Sequence, residues 1–182
     1  MDTDLKAAEQ KGEILGRDFL TWLWFKSELN SGIFQTREKE DFGLYLEKKI
    51  VVEGGEGESL EKAVCTGMMS ELREARLGLK TGKKVVQAVL RFDQDSTEWM
   101  MQVNASDFSF SGVKTPKVET RLEEGDDPDA PFLEKMFLLE KVFGFLDDLF
   151  HAFLKIRFSD VWAEEIKNCR MWLNNEFQDI HG

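Results

Sequence analysis

Between Leu15 and Glu28 the chain reads LGRDFLTWLWFKSE, and its apolar positions fall at helical spacing. At about 100° per residue, Leu15, Phe19, Trp22 and Leu23 share one face. Leu20 and Trp24, four apart, form a second stripe on another side. A helix over residues 14–29 is predicted, broken at the "NSG" of Asn30–Gly32. One packing contact accounts for one stripe only. The second leaves three readings open: a helix sandwiched between a sheet and later helices, a contact of Leu20 and Trp24 with another chain, or a platform for stacked bases. Asp18 and Glu28 on the same segment suit the last poorly.

The period then changes. From Asp41 to Glu53, Phe42, Leu44 and Leu46 alternate with Gly43, Tyr45 and Glu47, and Ile50–Val52 is β-branched, so one or two strands are expected. "EGGEGE" (Glu53–Glu58) reads as an acidic turn, and "EKAVCTG" as a short strand. A helix over 68–79 follows, with Gly82 suited to the position just past its end. "KKVVQAVLRF" (83–92) and "EWMMQVNA" pair as a hairpin about "DQDS". "DFSFSGVKTPKV" adds a strand ending near Pro116, and "ETRLEEGDDPDAP" is an acidic connector.

The last third is helical. Phe132, Met136, Leu139, Phe143, Leu146, Phe150 and Phe153 step by four and three, beside a second set of Leu138, Val142, Phe145, Leu149, Ala152 and Ile156. Together they span an arc of about 200°, wider than one contact needs. Burial of Phe143, Leu146 and Phe150 against Phe19, Trp22 and Leu23 is therefore expected. Ser159 is placed to cap a final helix reaching about Phe177. The order of elements gives an α+β fold, an antiparallel or mixed sheet covered by helices, with a C-terminal helical pair. Residues 1–120 form the sheet region with its aromatic helix. Residues 121–182 form a helical region packed on the same core as one domain.

Composition narrows the functional classes. The 182 residues hold 15 Phe and 5 Trp against 1 Tyr, which favours buried packing over a polar aromatic surface. The formal net charge is −11, so the chain as a whole repels nucleic acid and anionic membranes. Any phosphate contact must rest on a local basic patch. The opening MDTDLKAAEQKGE does not read as a signal peptide, and no apolar run approaches the roughly 20 residues of a membrane span. Cys65 and Cys169 lie far apart and near no histidine pair, which fits a reducing cytoplasm and neither a disulfide framework nor a zinc site.

Candidate chemistry is sparse. "EGGEGE" lacks the Gly-Lys-Ser/Thr ending of a phosphate loop, and its glutamates repel phosphate. "EEGDDPD" lacks calcium-loop spacing. His151 has one possible companion, His181 near the last residue, so neither a metal cluster nor a triad can be assembled. The sequence reads as non-catalytic, with no metal and no cofactor. The basic run is more informative. Arg73, Arg76 and Lys80 recur at helical spacing, Lys83 and Lys84 follow, and Lys114 and Lys117 join from a neighbouring strand. The stripe reads either as a phosphate-contacting surface or as an ordinary charged face partnered by Glu71 and Glu74.

The runs "LGRDFLTWLWFKSE", "DFGLYLEKKI" and "GKKVVQAVLRF", in that order, resemble the RdgC family of recombination-associated bacterial proteins. The helical tail after "DDPDAPFLEKM" is compatible with the end of that family's chain. The resemblance covers nearly all of this chain but only the later part of the family's. It implies a nucleoid-associated, cytoplasmic protein that binds double-stranded DNA without sequence preference, restrains RecA-driven recombination and pairs into a ring around the duplex. With the basic stripe, the expectation is weak DNA contact through Arg73, Arg76, Lys80, Lys83, Lys84, Lys114 and Lys117. The second apolar stripe makes Leu20 and Trp24 the candidates for a possible homodimer interface, the family's own ring contacts lying in parts that this chain lacks. The alternative is a protein-interaction or dimerisation module with no DNA contact of its own.

Overall fold

The computed structural model describes residues 2–55, 60–67, 72–121, 125 and 127–174, with residues 2–10 described as helix backbone only. In chain order the elements are α1 (Asp2–Leu29), β1 (Ile33–Gln35), β2 (Asp41–Gly54), β3 (Glu61–Gly67), α2 (Arg73–Lys80), β4 (Lys84–Gln94), β5 (Thr97–Asn104), β6 (Phe110–Lys114), α3 (Ala130–Arg157) and α4 (Trp162–Leu173). Six antiparallel strands make one sheet in the order β1-β2-β4-β5-β6, with β3 also paired to β2. The α+β architecture with two helices at its end is thus the observed one.

Alternation sets the two faces of the sheet. Phe42, Leu44, Leu46, Val85, Leu90, Phe92, Trp99 and Met101 are buried beneath the helices. Tyr45, Glu47, Val89, Arg91 and Met100 lie at the intervening positions, half-buried. There Arg91 stacks on the Tyr45 ring at 4.5 Å and pairs with Glu47 at 2.9 Å and Asp93 at 2.6 Å. β2 is one bent strand: its register against β4 shifts between Leu46 and Ile50, where Lys48 sits at φ +62°. The bend lets its first part hold β1 and its second part hold β3.

α1 answers the question its two stripes raise. All seven side chains from Phe19 to Phe25 are buried, so the helix is covered on every side. Thr21 Oγ accepts a hydrogen bond from the Val85 amide of β4 at 3.0 Å. Phe19 meets Phe150 and Phe153 of α3 at 5.1 and 5.3 Å, while Trp24 and Phe25 both meet Trp172 of α4 at 5.6 Å. Leu20 and Trp24 are 0 and 2% exposed, which removes them from any interface between chains. The sandwich accounts for both stripes.

Two glycines are required by the backbone. Gly32 ends α1 at φ +77°, where a Cβ would lie 2.3 Å from the Tyr45 ring. Gly82 closes α2 at φ +90°, the position expected from the sequence. Other expectations shift. α1 extends back to Asp2, well before residue 14, and β1 is an added strand. Ser159 does not cap α4: its Oγ donates to the Ile156 carbonyl at 2.9 Å, and Val161 stands at the cap position. The expected turn at 56–58, the helix start at 68–71, parts of the acidic connector, the reach to Phe177 and His181 lie outside the described residues.

Candidate functional site

α2 places Arg73 and Lys80 in solvent, on the side away from buried Ala75, Gly78 and Leu79. Arg76 turns inward. Its guanidinium stacks on the Trp172 ring at 4.5 Å and pairs with Glu28 at 3.0 Å. Glu28 also accepts hydrogen bonds from the Trp24 and Trp172 indoles, at 2.8 and 2.9 Å, so one carboxylate ties α1, α2 and α4 together. Sequence spacing could not show this clasp, because Glu28 and Trp172 are remote from Arg76 in the chain. Lys83 is held by Glu61 of β3 at 2.6 Å, and Lys84 by Asp18 of α1 at 3.2 Å. Lys83 keeps the Glu61 carboxyl below its ordinary value, by hydrogen bond first and charge second.

The continuous basic stripe is therefore not formed. Arg76, Lys83 and Lys84 are bound to carboxylates, and Arg73 and Lys80 remain. Lys114 and Lys117 are exposed but do not join them, since β6 is the strand at the far end of the sheet from the β2–β3 side on which α2 packs. The helical spacing was right and the partners were elsewhere.

A different surface stands out. In the first two turns of α3, Phe132, Leu133, Met136 and Phe137 are 65, 58, 42 and 61% exposed. Phe143 is 38% exposed and meets the exposed Phe110 of β6 at 5.5 Å. Phe143 was expected in the core with Leu146 and Phe150. Leu146 is buried and Phe150 partly so, but α3 rests on the sheet through Leu138, Val142, Phe145 and Leu149. Phe145 lies 4.6 Å from Phe42, and the Trp99 indole donates to the Leu138 carbonyl at 3.0 Å. Buried side chains begin only at Leu138; in the earlier turns Lys135 donates to the Thr115 hydroxyl, while Phe132, Leu133, Met136 and Phe137 stay exposed.

Among the described residues no cluster of three or more His, Cys, Asp or Glu is placed to hold a metal. His151 is exposed, with Nδ1 3.0 Å from the Asp147 carbonyl one turn earlier. Burial, with the Glu74 charge second, raises the Cys65 thiol. Burial pushes Cys169 up to about 11, beside Lys84, Glu165, Arg170 and Lys26. Among the described residues no helix is long and apolar enough to cross a membrane. No protein-family model matches the chain, and neither a curated protein nor a solved structure matches it.

Proposed function

We propose that this chain is a non-catalytic association module of an RdgC-like protein, pairing with a second copy of itself through the first turns of α3. The apolar overhang carries the reading. At ~200 Å2 for a whole aromatic side chain, Phe110, Phe132, Phe137 and Phe143, 41, 65, 61 and 38% exposed, leave ~400 Å2 of ring surface in water. Leu133 and Met136 extend it. The largest apolar patch on an ordinary monomer is about 300–600 Å2, and a standard interface takes about 800 Å2 from each partner. A two-fold contact in which this patch meets itself reaches the lower end of that class.

The exposed Arg73, Lys80, Lys114 and Lys117, together with the resemblance, favour a second reading: weak, sequence-independent contact with duplex DNA in the nucleoid. Salt separates the two by sign. Two chains of charge −11 repel, so added salt screens them and strengthens self-association. DNA contact runs the other way, with a slope of about −0.9 in log affinity against log salt per phosphate. Sedimentation velocity and a duplex shift assay across a salt series on one preparation test both. Association that rises with salt supports the proposal. A monomer throughout, with a duplex shift that weakens as salt rises and is lost in Arg73→Glu with Lys80→Glu, replaces it by the DNA reading. Arg76 and Lys83 are unsuited to that variant because they hold Glu28 and Glu61.

A further inference from the structure

Independently of how copies associate, a cleft opens between α1, α4 and the turn joining α2 to β4. It encloses about 200 Å3. Its walls are apolar and partly aromatic: Trp22, Phe25, Leu79, Trp162, Ile166 and Leu173. Its charged lining is Lys83, Lys84 and Arg170 against Asp18 and Glu165. The carboxylates are already shared. Asp18 takes Lys84 at 3.2 Å and Arg157 at 3.1 Å, so two cations stand against one carboxylate. Glu165 takes Lys26 at 2.5 Å and the Trp22 indole at 2.8 Å. Arg170 has no ion pair among the described residues and is exposed at the mouth. Lys83 is held by Glu61, but Lys26, Lys84, Arg157 and Arg170 still stand against Asp18 and Glu165, so in a chain of net charge −11 this cleft has a local cationic surplus beside an aromatic wall.

We infer that the cleft binds a small amphipathic anion, a flat apolar ring system carrying a single acidic head group. The rings lie between Trp22, Trp162 and Ile166, and the head group meets Arg170 and Lys84. Apolar walls with a few converging polar groups are the ordinary make-up of a small-molecule site, and the size admits one or two fused rings rather than a nucleotide. Cys169 stands half-buried in the same wall, where desolvation lifts its thiol to about 11 against the lowering charges of Lys84, Arg170 and Lys26. A charge-assisted contact to Arg170 at the mouth is stronger than one to a neutral head group.

The probes are 2-naphthoate and its neutral counterpart 2-naphthalenemethanol, titrated into the full chain by calorimetry and followed by the indole N–H resonances of the tryptophans. Naphthoate is expected to bind about tenfold tighter than the alcohol, the yield of one charge-assisted contact. It should shift the Trp22 and Trp162 resonances. Arg170→Gln should bring naphthoate down to the level of the alcohol, and Ile166→Trp, which fills the cavity, should abolish both. Phe137→Asp, on the α3 surface, should change neither. Equal affinity for the two probes, no binding, binding retained in Ile166→Trp, or binding lost in Phe137→Asp each overturns the inference. Should Ile166→Trp fail to fold, Arg170→Gln decides the matter, because its side chain is exposed and has no ion pair among the described residues.

Discussion

Phe137→Asp isolates the proposed association, because it removes apolar surface that the monomer does not use. Phe137 is 61% exposed, which at ~200 Å2 per ring is ~120 Å2 of apolar area. At ~25 cal/mol per Å2, full cover of that area contributes about 3 kcal/mol in each protomer and about 6 kcal/mol in a two-fold pair. Incomplete cover halves this to about 3 kcal/mol, still a weakening of roughly 100-fold at 1.4 kcal/mol per tenfold. The aspartate adds like charge to a surface already preceded by Asp127 and Asp129. The folded monomer should not notice, since exposed substitutions away from packed features stay within about 0.5 kcal/mol. The assay is sedimentation velocity across the micromolar range at moderate salt, with urea unfolding as the control. Wild type that remains monomeric, or a folded variant that associates as tightly as wild type, refutes the reasoning.

Three further outcomes follow from the packing. Gly16→Ala would put a Cβ 2.0 Å from the Ala105 carbonyl oxygen, so α1 must lift off the end of β5; a loss of about 3 kcal/mol or more is expected in urea unfolding. Glu28→Ala should cost about 2–4 kcal/mol by leaving the buried Trp24 and Trp172 indoles without an acceptor, and Glu28→Gln, which keeps one carbonyl oxygen, should cost less. Burial, with Glu98 and Glu47 adding to it and Arg91 opposing, raises the Asp93 carboxyl above its ordinary 3.8. The native state thus binds that proton more tightly than the unfolded chain. Stability associated with it is constant below the ordinary value and falls as pH rises through the raised one, a slope that Asp93→Asn should flatten. An unchanged slope in the variant rules out this assignment.

What the sequence showed and hid has a common physical basis. Periodicity located α1, the β4–β5 hairpin and α3, because each buries a regular set of side chains. β1 was invisible: three residues with Ile33 59% exposed are held by backbone pairing to β2, which leaves no apolar pattern. The turns of α1 before residue 14 are polar and were equally silent. The spacing of Arg73, Arg76 and Lys80 correctly put them on one helix. It could not reveal that Glu28 meets Arg76, or that Glu61 and Asp18 meet Lys83 and Lys84. Arg17, Lys26, Arg37 and Arg157 follow the same rule, each joined to a carboxylate on another element. In an acidic chain a cation that lies near another element often meets a carboxylate there, so a run of basic residues in sequence is a weak guide to a basic surface.

Phenylalanine is the stronger guide, for the opposite reason. An exposed lysine is satisfied by water and an exposed tyrosine is half satisfied through its hydroxyl, but a phenyl ring gains nothing from solvent. The chain has 15 Phe and a single Tyr, and its buried rings close around α1 and the sheet. Phe132, Phe137 and Phe143 sit on the exposed side of α3, with Phe110 against Phe143. Phe132 and Phe137 stay more than half exposed there, whereas Arg76, Lys83 and Lys84 each have a carboxylate. The same criterion, partners found or not found, moves the functional weight from the α2 stripe to the start of α3. It also fixes the sign of the salt response, because an interface made of uncharged rings between two acidic bodies gains from screening where a phosphate contact loses.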